Sequence, residues 1–312
     1  MKYTIDLEYR EAIKYILKYG KSHEDPNRVG VYRLNVPKYT LEIPIETVPA
    51  VSIKKSFPIS AAKELSLFMR GVTDIREFWE SKVNFWSSDF MNFVANKTDK
   101  DLQYIKDNQH EFDDDFFSLG KIYGYQYRNF GGSGYDQMAE LLRKMIEKPM
   151  SSDLVVSAWN PPDFENMSLK PCHHSFYVDM EKRMMNTYGF HLTFNLRSSD
   201  FYLGAPMNIM FYFLLGKILE RVTKHKFLSL TGDLHNMHIY GPHIKQAKDV
   251  IMNKPKHIHP LSNLEFKPYL DEPLKELDDY KSFWDNLPLI PVKLTNYQSY
   301  RHYPAELLTY SK

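Results

Sequence analysis

A thiol next to two histidines is the first group in this chain that could do chemistry. Cys172, in "SLKPCHHSFYV", is the single cysteine among 312 residues. One cysteine cannot close an internal disulfide, so the thiol is either a small buried hydrophobe or a reagent. As a reagent it acts as the thiolate, and an ordinary thiol, with a pKa of about 8.5, is mostly protonated near neutrality. A cysteine hydrolase needs a histidine that reaches the sulfur from elsewhere in the fold. Adjacency along the chain does not give His173 that role, and no separate histidine and carboxylate set is visible. The glycine-rich "NFGGSGYDQ" lacks both the GxGxxG spacing and the Lys-Ser/Thr of a phosphate loop, so it reads as a turn. The histidines show no ligand spacing such as HExxH, and no metal is expected.

Elements that could position such groups follow from the hydrophobic pattern. Leu7, Ala12, Ile13, Ile16 and Leu17 recur at helical spacing and predict a helix over 6–20 that stops at Gly20. "SAAKELSLFMRG" predicts a helix capped by Ser60, with Glu64 in its first turns. Residues 31–57 read as short strands divided by Pro37, Pro44 and Pro49. "LVVSAW" and "HLTFNL" read as strands, and 135–148 as a helix. "MNIMFYFLLGKILERV" is apolar on most faces and predicts a central buried helix. The acidic stretch 96–116 reads as an exposed insertion, and the last 40 residues as having few clear elements. There is no internal repeat and no composition break, so residues 1–312 are expected to form one large α+β domain.

Composition narrows the function classes. Hydrophobic residues make up 43% and charged residues 25%, as in soluble globular chains. The net charge of +1 offers no field for nucleic acid or membrane. No apolar run approaches the roughly 18 residues that span a bilayer. The charged N-terminus lacks a signal-peptide core. A cytoplasmic setting is expected, host cytoplasm if the source is viral.

Several segments occur together in one order: "NRVGVY", "KELSLFMRGVTDI", "NFW", "YGYQYRNF", "VSAWNP", "PCH", "LRSSDFYLGAPMN" and "HIY". In that order they resemble the thymidylate synthase family, which includes the pyrimidine nucleotide hydroxymethylases, over most of the chain. The resemblance implies a mixed β-sheet flanked by helices, dimerised through the sheet. It implies that the Cys172 thiolate adds to C6 of a uracil nucleotide, dUMP. C5 then takes a one-carbon unit from 5,10-methylenetetrahydrofolate, the expected co-substrate. Arg197 would contact sulfur and phosphate, Arg28 and Ser198 the phosphate. Glu64 would organise proton transfer, and Tyr123 would help remove the C5 proton. Asn208 would read the uracil edge, and His238 and Tyr240 the sugar hydroxyl, with His173 as a wall of the nucleotide site. Trp86, Asp200 and Gly204 would face the folate.

Four departures stand out. The family carries an Arg-Arg pair before "VSAW", donated across the dimer to the partner's phosphate; here Ser152 and Asp153 stand there. The terminal region 290–312 ends in the polar "YRHYPAELLTYSK", where Tyr300 and Pro304 keep the family rhythm but the apolar closing tail is missing. The segment after Cys172 lacks the family glutamine. "GDLHNMHIY" carries extra residues, so His235 is a decoy or an added ligand. Water excluded by a lid favours hydride transfer to the C5 methylene, and an open lid favours water addition. The polar tail therefore points to 5-hydroxymethyl-dUMP as product. Thymidylate synthase proper and a non-catalytic nucleotide-binding member are the alternatives.

Overall fold

The computed structural model describes residues 4–26, 28, 30–254, 259–272, 274, 277–300 and 303. Its strands are β1 (Lys21–Glu24), β2 (Tyr32–Ile43), β3 (Thr47–Val48), β4 (Val155–Ser157), β5 (His173–Lys182), β6 (Tyr188–Leu196), β7 (Ser199–Asp200), β8 (Lys226–Tyr240), β9 (His259–Pro260), β10 (Leu264–Phe266) and β11 (Val292–Leu294). Its helices are α1 (Ile5–Tyr19), α2 (Pro58–Met69), α3 (Ile75–Glu80), α4 (Ser87–Val94), α5 (Leu102–Asp107), α6 (Tyr123–Arg128), α7 (Gln137–Glu147), α8 (Ala205–Thr223), α9 (Ile244–Val250) and α10 (Leu277–Asp285).

The main sheet runs β1-β2-β8-β6-β5-β4, with β7 also against β8. Neighbours are antiparallel except β6 with β8 and β7 with β8. That parallel step requires a crossover, and α8 supplies it. α8 is buried over most of its surface, as its all-round apolar sequence predicts, because it packs against both the sheet and α2. It ends at Lys224, whose φ of 61° places it in the left-handed region. The expected α+β architecture, a mixed sheet flanked by helices, is what the chain forms.

Local differences from the sequence reading have physical reasons. Gly20 follows α1 as expected, but its φ is −63°. Glycine is needed there for space: a Cβ would sit 2.5 Å from the Ile16 carbonyl oxygen. α2 starts two residues before Ser60, because Pro58 presets the helical φ at the first position. β2 passes through Pro37 unbroken. Val36 pairs with Met237 and Lys38 with His235 in one unshifted register, so Pro37, which has no N–H to donate, falls where the ladder skips a single pair. Asn236 takes a φ of 46° there. The 96–116 stretch is exposed in part, yet Ile105 and Phe116 are buried and α5 lies within it. The last 40 residues hold α10, whose Tyr280, Phe283 and Trp284, with Leu287, bury one helical face.

Candidate active site

Strand register assembles the site. β5 and β6 pair His173 with Leu196, and one step further along, Cys172 meets Arg197. The Arg197 backbone N–H donates to the Cys172 carbonyl at 2.9 Å. Its guanidinium donates to the carbonyls of Pro171 (2.8 Å) and Lys170 (2.7 Å) and lies 3.9 Å from Cys172 Sγ. The short β7 sets Asp200 beside His238 on β8, and β2 sets Arg33 opposite Tyr240.

The thiol is half-buried, and burial pushes its pKa up. Arg197, and more weakly Arg28, oppose the rise, whereas Asp89 and Asp200 add to it. Arg197, the nearest cation, does not outweigh desolvation. Two backbone carbonyls engage the same guanidinium.

Aromatic packing forms the wall behind the thiol. Tyr123 opens α6, and its hydroxyl oxygen accepts the Cys172 backbone N–H at 2.6 Å. Its ring stacks between His173 (4.2 Å) and Phe68 (4.9 Å). His173 Nδ1 is 2.9 Å from the Tyr212 hydroxyl. Burial holds His173 down to about 3, so it is neutral and serves as a wall. Glu64, on α2, is 7% exposed and accepts from Trp86 Nε1 at 2.9 Å. Burial pushes its carboxyl up to about 7, with the Trp86 bond opposing. Trp86 is therefore a buried ring, 4% exposed, that locks Glu64.

The opposite wall is charged. Arg28 sits in the loop before β2, with its guanidinium 4.8 Å over the Tyr240 ring. His238 is 2% exposed and its Nδ1 lies 2.7 Å from the Asn236 carbonyl oxygen. Ser198 Oγ accepts from Asn236 Nδ2 at 3.3 Å. Asp200 accepts the Leu203 N–H at 3.2 Å. Gly204 precedes α8, and a Cβ there would stand 3.0 Å from the Asp200 carbonyl oxygen, so its tightness serves the Asp200 turn. Asn208, in the first turn of α8, borders a small enclosed space with Ser199 and Leu234. Its side chain makes no hydrogen bond among the described residues.

A family model described as thymidylate synthase matches residues 7–308. The chain belongs to the thymidylate synthase family. The thymidylate synthase of Mycoplasma genitalium is 33% identical over 253 residues, 77% of this chain and 83% of that protein. That of Mycoplasma pneumoniae is 29% identical over 307 residues, 96% and 97% of the two chains. That of Saccharomyces cerevisiae is 29% identical over 290 residues, 88% and 90%.

Within this family fold, some expected features fall away from the cleft. His235 is exposed and acts electrostatically on His174. Asp153 is also exposed, 2.6 Å from Lys144 Nζ, and accepts from Ser151 Oγ at 2.5 Å. That pairing holds its carboxyl down to about 2. Pro304 and the residues after it lie outside the described residues.

Several cleft residues had no flag in the sequence. Lys54 Nζ donates to the Tyr202 carbonyl at 2.5 Å and lies 4.1 Å over its ring. Burial pulls it down to about 8, against the pull of Asp200. Asp89, three residues past Trp86, is pushed up to about 6 by burial, with Arg28 opposing. Among the described residues no group of three or more His, Cys, Asp or Glu could hold a metal, and no helix is long and apolar enough to cross a membrane.

Proposed function

We propose that this chain is a thymidylate synthase: it methylates dUMP at C5, giving dTMP and dihydrofolate. The observation that carries the reading is the single cysteine with an arginine guanidinium 3.9 Å from its sulfur, in a chain whose relatives are named thymidylate synthase. The co-substrate is 5,10-methylenetetrahydrofolate, which supplies both the carbon and the hydride.

Each residue then has a task on the nucleotide. The Cys172 thiolate bonds to C6, and the C5–C6 electron pair moves to C5, which bonds to the donated carbon. Arg197 stabilises the thiolate and the phosphate together, since a guanidinium presents several donors in one plane. Arg28 and Ser198 complete the phosphate contacts. Glu64, whose carboxyl burial pushes up to about 7, can take or give a proton near neutral pH. Tyr123, bonded to the Cys172 backbone, is placed to help take the C5 proton. Asn208 offers a donor and an acceptor to the uracil edge, His238 and Tyr240 serve the sugar hydroxyl, and Asp200 faces the pterin. The half-exposed polar face of the sheet, with Ser175, Thr193, Asn195 and Thr231, is the surface we assign to a homodimer. Sedimentation at micromolar protein should give twice the chain mass.

The test is the product formed from dUMP and 5,10-methylenetetrahydrofolate. A methyl mass gain with dihydrofolate appearing in step supports the reading. A hydroxymethyl mass gain without dihydrofolate overturns it in favour of water addition. No release of tritium from C5-labelled dUMP would leave only nucleotide binding.

A further inference from the structure

Behind the thiol, three buried polar side chains stand in a row. His173 opens β5, Tyr212 lies within α8 and Tyr127 within α6. His173 Nδ1 is 2.9 Å from the Tyr212 hydroxyl oxygen. The Tyr212 ring is held in place: it stacks on Phe194 at 4.3 Å and meets the His173 ring edge-on at 5.7 Å. Tyr127 and Tyr212 both pack edge-on against Phe176, at 6.0 and 5.8 Å. The Tyr127 hydroxyl is sealed from solvent and has no hydrogen-bonding partner of good geometry among the described residues, while it acts on Tyr212. Burial, with Glu64 adding to it, pushes the pKa of both tyrosines up, so both keep their protons.

Counting donors decides where the imidazole proton sits. A neutral imidazole has one donor nitrogen and one acceptor nitrogen, and burial keeps His173 neutral. Two proton arrangements fit the row. If His173 Nδ1–H donates to Tyr212 and Tyr212 donates to Tyr127, the buried Tyr127 O–H is left with no acceptor, which is costly. Glu64 does not take it, since its hydrogen bond is with Trp86. If Tyr127 donates to Tyr212 and Tyr212 donates to Nδ1, both hydroxyl protons are satisfied. The imidazole proton is then on Nε2. That nitrogen has no hydrogen-bonding partner among the described residues, yet it is not one of the sealed polar atoms, so the 6% exposure of His173 includes it. The ring stacks on Tyr123, whose hydroxyl takes the Cys172 N–H, and this places it at the cleft.

We propose that Tyr212, with Tyr127 donating to its oxygen, is a positioning residue that fixes the His173 proton on Nε2, so that the cleft meets an N–H donor. This rests on the cleft being a pyrimidine nucleotide site. When the thiolate adds at C6, the C5–C6 electron pair is shared with the conjugated carbonyl oxygen of the uracil. A preorganised, neutral donor at that oxygen stabilises the charge while keeping its own proton.

Nitrogen NMR of the full-length chain carrying isotope-labelled histidine tests the tautomer without turnover. The His173 signals are those absent from the spectrum of His173→Gln. Near neutral pH, Nε2 should carry the proton and Nδ1 should be bare. A proton on Nδ1, or exchange between the two nitrogens, overturns the proposal. Tyr212→Phe keeps the ring and removes the hydroxyl. With dUMP and 5,10-methylenetetrahydrofolate its kcat should fall about 3- to 10-fold while KM for dUMP stays within about 2-fold, as for a donor that has lost its anchor. Wild-type kcat in Tyr212→Phe overturns the proposal. If Tyr212→Phe does not fold, the wild-type spectrum decides alone. The spectrum needs no substrate, so a failed reaction and a wrong tautomer give different results.

Discussion

On the α2 and α6 side of the cleft, Glu64, Trp86, Tyr123, His173 and Tyr212 pack ring against ring. On the β2 and β8 side, Arg33 and Arg28 lie against the Asp25 carboxylate, near Asp200 and a His238 whose pKa burial lowers. Both sides are buried to a similar depth. The difference is pairing. Where no opposite charge is at hand, desolvation neutralises the group: Glu64 rises to about 7 and His173 falls to about 3. On the other side Arg33 lies 2.8 Å from the Asp25 carboxylate, and Arg28 opposes the burial that pushes Asp89 up. One wall can therefore exchange a proton near neutral pH, while the other holds an ion pair between Arg33 and Asp25.

Substitutions can break or sharpen that contrast. The largest effect belongs to the sulfur between the walls: Cys172→Ala should lower tritium release from C5-labelled dUMP by at least about four orders of magnitude. Arg197→Gln comes next. It removes the cation nearest the sulfur and frees the Lys170 and Pro171 carbonyls, so kcat/KM should fall about a hundredfold. The pH of half-maximal alkylation of Cys172 should also move upward.

Glu64→Gln probes the neutral wall. A carboxyl raised from about 4.5 to about 7 contributes stability that is complete below pH 4.5 and is lost as the pH rises through 7. Urea melts at pH 5 and pH 8 should therefore show the wild type losing about 3 kcal/mol more than Glu64→Gln. Equal losses would mean that Glu64 is ionised throughout, and the contrast between the walls would fall. The smallest effect is expected for Asp153→Ala: its exposed ion pair with Lys144 is screened and remote, so dUMP affinity should not change measurably.

The legible part of the site was the part written in contiguous segments. Cys172, Arg197, Asp200, Asn208, His238 and Tyr240 each sit in a short motif; the structure sets Cys172 beside Arg197 and Asp200 beside His238. The thiol's net pKa was not legible, because it depends on burial and on Asp89, which belongs to no motif. Arg33 was hidden for a related reason. Its place opposite Tyr240, over two hundred residues away, comes only through the β2–β8 register. The same register explains the misread strand: Pro37 looked like a breaker until Asn236 stood opposite it. α10 was missed because Asp278, Asp279 and Lys281 mask the apolar spacing of Tyr280, Phe283 and Trp284.

Residues 51–56, the segment that feeds α2 and carries Lys54, are gripped from both ends of the chain. Asp6 on α1 accepts from the backbone N–H groups of Ser52 and Ile53. Tyr297 donates to the Val51 carbonyl and accepts from the Ser56 N–H. The Tyr300 N–H donates to the Ser52 carbonyl. In engineering terms, the first helix and the last described residues meet on one hexapeptide. A circular permutant that joins them and opens the chain at the exposed 184–186 turn should keep the cleft intact, while a truncation before Tyr297 should loosen α2 and Glu64 with it.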